Sequence, residues 1–375
     1  MAENTRIKPE LAAGIKDYLP KDMIPRQWML DTIREVFELF GFVPLDTPGL
    51  ERIEILTGGD PDFDKQIFRV GLKENDEDLA LRFDLTVPLA RVVAQYAGKI
   101  TKPFKRYQVG KVWRGEKPQA GRFREFVQFD ADIVGSARTA ADAEIIALMH
   151  ETMVALRVER FLVRFNNRKV LNGLPEYANF DPSKIVEVLH LIDKLDRLGW
   201  DNIAGEMADL HKISATALSA IKEFLELRTG TAAETISALR RLMSRSAIAM
   251  EGVDELAEIV EHLDPLGVPK ERWTIDLSVA RGLGYYTGPV FETTMLDLPS
   301  IGSVFSGGRF DGLVSRFGGD IVPATGASVG VDRLFAALEK LGQIQRRPTI
   351  SQVCGLNFDP GGARFWQELN TILRR

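Results

Sequence analysis

The sequence predicts a soluble, mixed α/β protein with an α-rich segment inserted in its middle, and three observations lead there. The chain has 375 residues, 45% apolar and 27% charged, enough for two or three structural units whose cores need no covalent staples. Residues 105–135 read as strand, loop and strand: KRYQVGKVWR alternates, GEKPQAG is polar, and RFREFVQFDADIV alternates again. Residues 176–265 carry helical periodicity with polar breaks and few strand candidates.

The elements follow in order. Residues 24–40 predict an amphipathic helix: Pro25 suits a first turn, Trp28, Leu30, Ile33, Val36, Phe37 and Phe40 fall at helical spacings, and Gly41 stops it. FVPLDTPGLE is a short extended stretch punctuated by Pro44 and Pro48. Residues 78–95 give a strand and then a helix starting near LTVPLARVVAQ. After the long hairpin, residues 139–156 are helical and RFLVRFNN is a strand. Strands and glycine-dense turns return at 273–330, followed by a helix at 331–342. SQVCGLNFDPGGARFWQELNTILRR predicts one more strand and one more helix, too little to bury both faces.

Composition removes several function classes. With 48 basic and 53 acidic residues the net charge is −5, which argues against a globally basic nucleic-acid glove while allowing a local patch. The single cysteine, Cys354, excludes a disulfide framework and a Cys-built zinc site and fits a reducing, cytosolic compartment. No signal-peptide core and no membrane-length apolar run occur, so a membrane partner is not expected. No Walker-type glycine loop exists, and His150, His190, His211 and His262 lack metal-ligand spacing.

The hairpin carries the chemistry. Between Lys99 and Arg124 stand nine basic residues and one acid, Glu116. A solvated edge blunted by lysines would explain that, but alternation places Phe126, Gln128, Asp130 and Asp132 on one face, opposite Gln108, Gly110, Val112 and Arg114. A core face would not choose those residues, because each buried polar group costs a few kcal/mol unless paired. A ligand-binding face would, with Gly110 removing bulk beneath the ligand. A second constellation is VARGLGYYTGPVFE, where Arg281 sits among glycines ahead of Tyr285 and Tyr286. A third, SGGRFDGL with PATGASVGVDRL, joins glycine-lined strand to Arg333 at a helix start. A plain hairpin turn and close strand–helix packing are the bland readings of these two.

Taken together the motifs resemble the histidyl-tRNA synthetases among the class II aminoacyl-tRNA synthetases. Arg114-x-Glu116 through GRFREF resembles motif 2, the stretch around Thr47-Pro48 resembles motif 1, and GVDRL ending in Arg333 resembles motif 3. RGLGYYTGPVFE is similar to the histidine signature, and GIKDYLP, LRFDLTVP, GGRFDGL and the inserted LIDKLDRLGW also resemble that family. The resemblance implies a six- to seven-stranded antiparallel sheet flanked by helices, in a homodimer. It implies ATP with Mg²⁺, attack of the L-histidine carboxylate on the α-phosphate, and transfer to tRNA(His). It further implies Arg114 on the α-phosphate, Glu116 and Phe126 on adenine, and Arg333 on the base and terminal phosphates. Asp84, Thr86 and Gln128 would hold the ammonium, Asp132 and Tyr286 the imidazole with Tyr285 beside them, and Arg281 would be the catalytic cation. Asp132 paired to a nearby arginine is the plainer alternative.

Two departures stand out: Gly284 replaces an acid usual in the signature, which would loosen the loop of Arg281, and Phe310 replaces a usual tyrosine. The expected organisation is a catalytic core in two parts, 1–175 and 266–345, a helical insertion at 176–265, and the start of an anticodon-binding-like domain at 346–375. That short last piece keeps a second function open: a histidine-sensing regulatory subunit of ATP phosphoribosyltransferase, which shares the synthetase fold.

Overall fold

The computed structural model describes residues 7–58, 67–71, 78–115, 123–227, 230–282, 284–358 and 361–374. An eight-stranded sheet forms its centre, in the order β1-β5-β6-β11-β10-β9-β7-β8. These strands are β1 (Val43–Pro44), β5 (Phe104–Trp113), β6 (Glu125–Val134), β7 (Phe161–Asn167), β8 (Trp273–Ile275), β9 (Pro289–Met295), β10 (Ser303–Arg309) and β11 (Ala324–Gly330). A separate small sheet pairs β2 (Leu50–Arg52), β4 (Leu79–Leu81) and β3 (Phe68–Val70). The pairings from β5 to β7 are antiparallel, while β1 joins β5 and β8 joins β7 in parallel. The antiparallel part is thus six strands wide, within the six to seven expected, and the two parallel edge strands widen the sheet to eight. Its two edge strands, two and three residues long, are too short to show a period in sequence.

One face of the sheet is the core. Phe129, Ala131 and Ile133 of β6, Val329 of β11, Phe305 of β10, Phe291 of β9 and Phe165 of β7 are all buried there. Against them pack three helices, Pro20–Leu39, Thr139–Ala155 and Val331–Lys340. Phe37 meets Phe129 edge-on, ring centroids 5.0 Å apart; each such fully buried ring contributes about 1.5–3 kcal/mol. The helix Thr139–Ala155 is apolar almost all round and correspondingly buried. Two charged clasps tie the helices down: Asp142 takes Arg309 Nη2 at 2.6 Å, and Asp332 takes Arg26 Nη1 at 2.8 Å together with the Tyr18 hydroxyl.

The first helix starts at Pro20, earlier than expected, with Pro25 inside it. Trp28 points outward, 43% exposed, because the buried stripe runs through Met29, Ile33, Val36 and Phe37. Between β7 and β8 the described chain is helical, including Ile185–Ile192, Leu195–Leu198, Trp200–Asp209, Ala215–Leu225, Ala232–Leu242 and Ala247–Leu263. The last helix forms at Ala363–Leu373, but the strand expected before it does not: described residues 351–358 carry no strand assignment. Val353, Leu356 and Phe358 are exposed, and a lone strand with no neighbour to bond has nothing to hold it.

Candidate active site

The opposite face of the sheet is polar, and register fixes its rows. One row runs Gln108, Asp130, Ser328, Ser306, Glu292 and Arg164 across β5, β6, β11, β10, β9 and β7. The next runs Arg106, Asp132, Gly326, Gly308, Val290 and Asn166. Directly paired residues share a face, so the shared face read from alternation in the hairpin is the one observed. Gly326 is bare because a Cβ there would collide with the Asp132 carboxylate, and Gly308 lies under the Tyr286 ring, 3.0 Å from where its Cβ would be. Gly110 plays a different part from the one expected. The space above it is filled by the Arg82 guanidinium, which donates through Nη1 to the Thr47 carbonyl at 2.5 Å and through Nε to the Lys111 carbonyl at 3.0 Å.

Most of the expected residues converge. Asp84 is buried ahead of the helix Thr86–Gln95 and accepts from the Val87 backbone N–H at 3.1 Å. Burial holds its carboxyl above the usual range, against the pull of that hydrogen bond and of Arg114 and Arg106. Gln128 donates to Ser328 Oγ at 2.8 Å, while its carbonyl oxygen is buried with no partner. Asp132 Oδ2 lies 2.7 Å from Nη2 of the fully buried Arg106, an ion pair without hydrogen-bond alignment, since the same oxygen has no hydrogen-bond partner. The arginine pairing is thus real, yet it leaves Asp132 with acceptor capacity. Burial pushes Asp132 up to about 6, with Arg106 opposing. Asp130 is pushed up to about 7, by burial first, with the neighbouring Asp132 and Asp84 adding to it.

Arg114 donates through Nε to the Phe83 carbonyl at 3.2 Å and lies over the Phe126 ring, 5.0 Å from its centroid. Tyr285 and Tyr286 meet edge-on at 4.7 Å, hydrogen-bonded to each other, and burial raises both hydroxyls. Phe310 packs edge-on against Tyr285 at 6.3 Å, so the missing hydroxyl leaves a packed apolar contact. Arg333 donates to the Ser303 carbonyl at 2.6 Å, on the β10 side of the helix start. Glu116 lies outside the described residues. Arg281 stands apart from the carboxylate cluster. Its Nε donates to Glu292 Oε2 at 2.9 Å and its Nη1 reaches Asp193 at 3.2 Å. Gly284 is exposed in a turn, and the arginine of its loop is held by these two acids.

Sequence reasoning assigned no role to Asp130, Arg106, Arg82 or Glu292. Arg106 was reachable, because alternation from Gln108 extends back to it. Glu292 closes the same signature stretch, eleven residues after Arg281, but no periodicity there pairs the two; Asp193 was out of reach, since its meeting with Arg281 joins segments far apart in the chain.

An antiparallel sheet with helices on its apolar face and arginines, carboxylates and an aromatic ring on the other defines the class II aminoacyl-tRNA synthetase catalytic fold. Residues 14–334 match the histidyl-tRNA synthetase family model, and the chain belongs to that family. It is 41% identical over 373 residues to a histidine–tRNA ligase of Rhodopirellula baltica, spanning 98% of this chain and 83% of that one. A histidine–tRNA ligase of Wolinella succinogenes is 42% identical, over 94% of this chain and 80% of that one. Among solved structures, histidyl-tRNA synthetase from Nostoc superposes with a TM-score of 0.86 at 34% identity, over 98% of this chain and 84% of that one. A protein of Bacillus halodurans described as an ATP phosphoribosyltransferase regulatory subunit/histidyl-tRNA synthetase superposes at 0.76 with 27% identity, over 89% and 84%.

Proposed function

We propose that this chain is a histidine–tRNA ligase: it activates L-histidine with ATP to histidyl-adenylate and passes the histidyl group to tRNA(His). One observation carries this reading. Asp84, Gln128 and Asp132 bring two buried carboxylates and a buried, unpartnered carbonyl oxygen to one sheet face, a set of acceptors matched to an ammonium and an imidazole N–H. The relatives named histidine–tRNA ligase support the enzyme over the histidine-sensing regulatory subunit.

The chemistry asks for positioning and charge. The histidine carboxylate is already a nucleophile, so in-line attack on the α-phosphate needs no base. An oxygen–phosphorus bond forms, the bond to the bridging oxygen breaks, and pyrophosphate leaves with its electron pair. Arg114 and Arg281 take the charge on the α-phosphate. Asp84, Thr86 and the free Gln128 oxygen hold the ammonium. Asp132 accepts from one imidazole nitrogen and Tyr286 serves the other, with Tyr285 fixing the Tyr286 ring. Phe126 stacks on adenine, Glu116 reads its amino group, and Arg333 covers the base and terminal phosphates. Mg²⁺ bound with ATP would neutralise charge on its phosphates; among the described residues no group of three or more His, Cys, Asp or Glu is placed to hold a metal ion.

The same reading takes 1–175 with 266–345 as the catalytic core, 176–265 as a helical insertion and 346–375 as the start of a further domain. It places the enzyme in the cytoplasm as a homodimer. Among the described residues no helix is long and apolar enough to cross a membrane. Histidine-dependent exchange of pyrophosphate into ATP, without tRNA, tests the activation step. Folded, Mg²⁺-supplied protein that shows no exchange would transfer the case to the regulatory subunit.

A further inference from the structure

Arg281 lies in a segment without regular secondary structure, and an arginine side chain carries about 2 kcal/mol of rotamer entropy. A loop of that kind cannot aim a guanidinium by itself. Something rigid must, and the polar face supplies it. Glu292 sits in the middle of β9, hydrogen-bonded on both sides to β10 and β7, with its side chain 4% exposed. Both of its oxygens are committed: Oε2 accepts from Arg281 Nε at 2.9 Å, and Oε1 lies 3.0 Å from Arg164 Nη1. Arg164 is itself fixed, through Nε to Asp276 at 2.9 Å, through Nη1 to Asp196 at 2.8 Å, and through Nη2 to Ser278 Oγ at 2.9 Å.

The other contact of Arg281 differs in kind. Asp193 follows the helix Ile185–Ile192, a third exposed, and lies 3.2 Å from Arg281 Nη1. Half-exposed pairs of this sort are worth at most about 1 kcal/mol, so an anionic oxygen of a substrate can take the Asp193 place. The bond from Nε to the buried carboxylate of Glu292 stays. It sets the plane of the guanidinium, and with it the direction in which Nη1 and Nη2 point.

We propose that Glu292, clamped by Arg164, is the positioning residue for Arg281: it orients the guanidinium from a rigid strand and acts on the activation step only through that arginine. The inference rests on the ligase reading, with Arg281 as catalytic cation.

Steady-state pyrophosphate exchange on the full chain tests it with Glu292→Gln, alone and combined with Arg281→Ala. The single variant is expected to lower kcat by about 10- to 100-fold, less than the ~10²–10³ expected for losing the donor itself, with the histidine KM moved less than about threefold. In the Arg281→Ala background it should lower kcat no further, because residues acting as a unit are non-additive. A change in kcat below threefold, or losses that multiply in the double variant, would overturn the proposal, as a merely structural Glu292 would affect both backgrounds alike. Should Glu292→Gln not fold, Arg164→Lys keeps the charge but loses the fork, and the same two criteria apply to it. An unsubstituted chain without histidine-dependent exchange removes the ligase reading itself, and this inference with it.

Discussion

Asp132 illustrates how one residue can be at once structural and selective. Its Oδ2 is anchored by the ion pair with Arg106, and because that oxygen makes no aligned hydrogen bond it keeps a lone pair for an imidazole N–H. A site built around a buried acceptor rejects side chains that leave it unpaired, by ~10⁴–10⁵, where fit alone to a missing methylene gives only ~1–3 kcal/mol. Asp132→Ala is expected to raise the histidine KM by at least about tenfold, one bond to a charged group being worth about 1.5–3 kcal/mol, and to leave the ATP KM within about twofold. Steady-state exchange kinetics with each substrate varied decide it; unchanged histidine affinity would place the imidazole elsewhere. Protonation should do what the substitution does. Burial holds the Asp132 carboxyl well above the usual carboxylate range, so Asp132 loses its charge as the solution is acidified and the histidine KM should climb as pH falls. Stability runs with the opposite sign. For Asp130, whose ordinary value of 3.8 is pushed up to about 7 by burial, the folded state holds the proton more tightly than the unfolded state. Its contribution is therefore full below pH 3.8 and is lost as pH rises through about 7. Asp130→Asn should be near neutral at pH 4 and stabilise the ligand-free chain at pH 8 by at least about 1.4 kcal/mol, which corresponds to a tenfold difference in proton affinity between the folded and unfolded states; urea melts at the two pH values check the difference.

Elements differed in how plainly the sequence announced them, for physical reasons. β5 and β6 span ten residues each, long enough for alternation to define both faces, and the polar face followed from that. β1 and β8 fall inside stretches read as extended, FVPLDTPGLE and 273–330, but two or three residues show no period that would bound them. The helix Pro20–Leu39 was visible, but its periodicity placed Trp28 in the core, since a stripe one position off is still helical in spacing. The apolar residues Val353, Leu356 and Phe358 in a short run suggest a strand, yet whether a strand forms depends on a neighbour that no local pattern reports. Contacts such as Asp193 to Arg281 were invisible for a related reason: they depend on how the helical segment seats on the sheet. That segment has its own local stability signal. Thr231 and Glu234 form a reciprocal capping box at the helix Ala232–Leu242, with the Glu234 N–H donating to Thr231 Oγ1 at 3.2 Å and the Thr231 N–H donating to Glu234 Oε2 at 2.9 Å. Thr231→Ala should cost about 1 kcal/mol in chemical denaturation and leave histidine and ATP KM values unchanged, separating the stability of the insertion from the chemistry of the sheet.

At the scale of the whole molecule, the apolar surface is unevenly spread. Leu39 at the end of the first helix is 86% exposed, Val43 on the edge strand 48%, and Leu50 on β2 38%. The motif-1 stretch lies among them, and its residues divide between two tasks. Thr47 and Glu51 are buried within the chain, Thr47 holding Arg82 and Gln108, and Glu51 accepting from Arg91 Nη2 at 2.7 Å. Pro48 and Leu50 face outward, so a contact of this stretch with a second copy of the chain would fall to them. An edge strand with exposed apolar side chains invites pairing, but Pro44 lacks the N–H that would continue the ladder. A partner must therefore meet this edge through side chains, the geometry of a specific interface more than of open-ended strand addition. A stable pair needs about 800 Å² from each partner, more than three leucine-sized side chains provide, so the surface of the first helix and the small sheet must join in. Sedimentation at micromolar concentration is expected to show a dimer, and Leu50→Asp, which sets a charge into the centre of the contact, should shift it to monomer without loss of fold. A monomeric parent chain, or a dimer indifferent to both Leu50→Asp and Val43→Asp, would move the interface away from this edge.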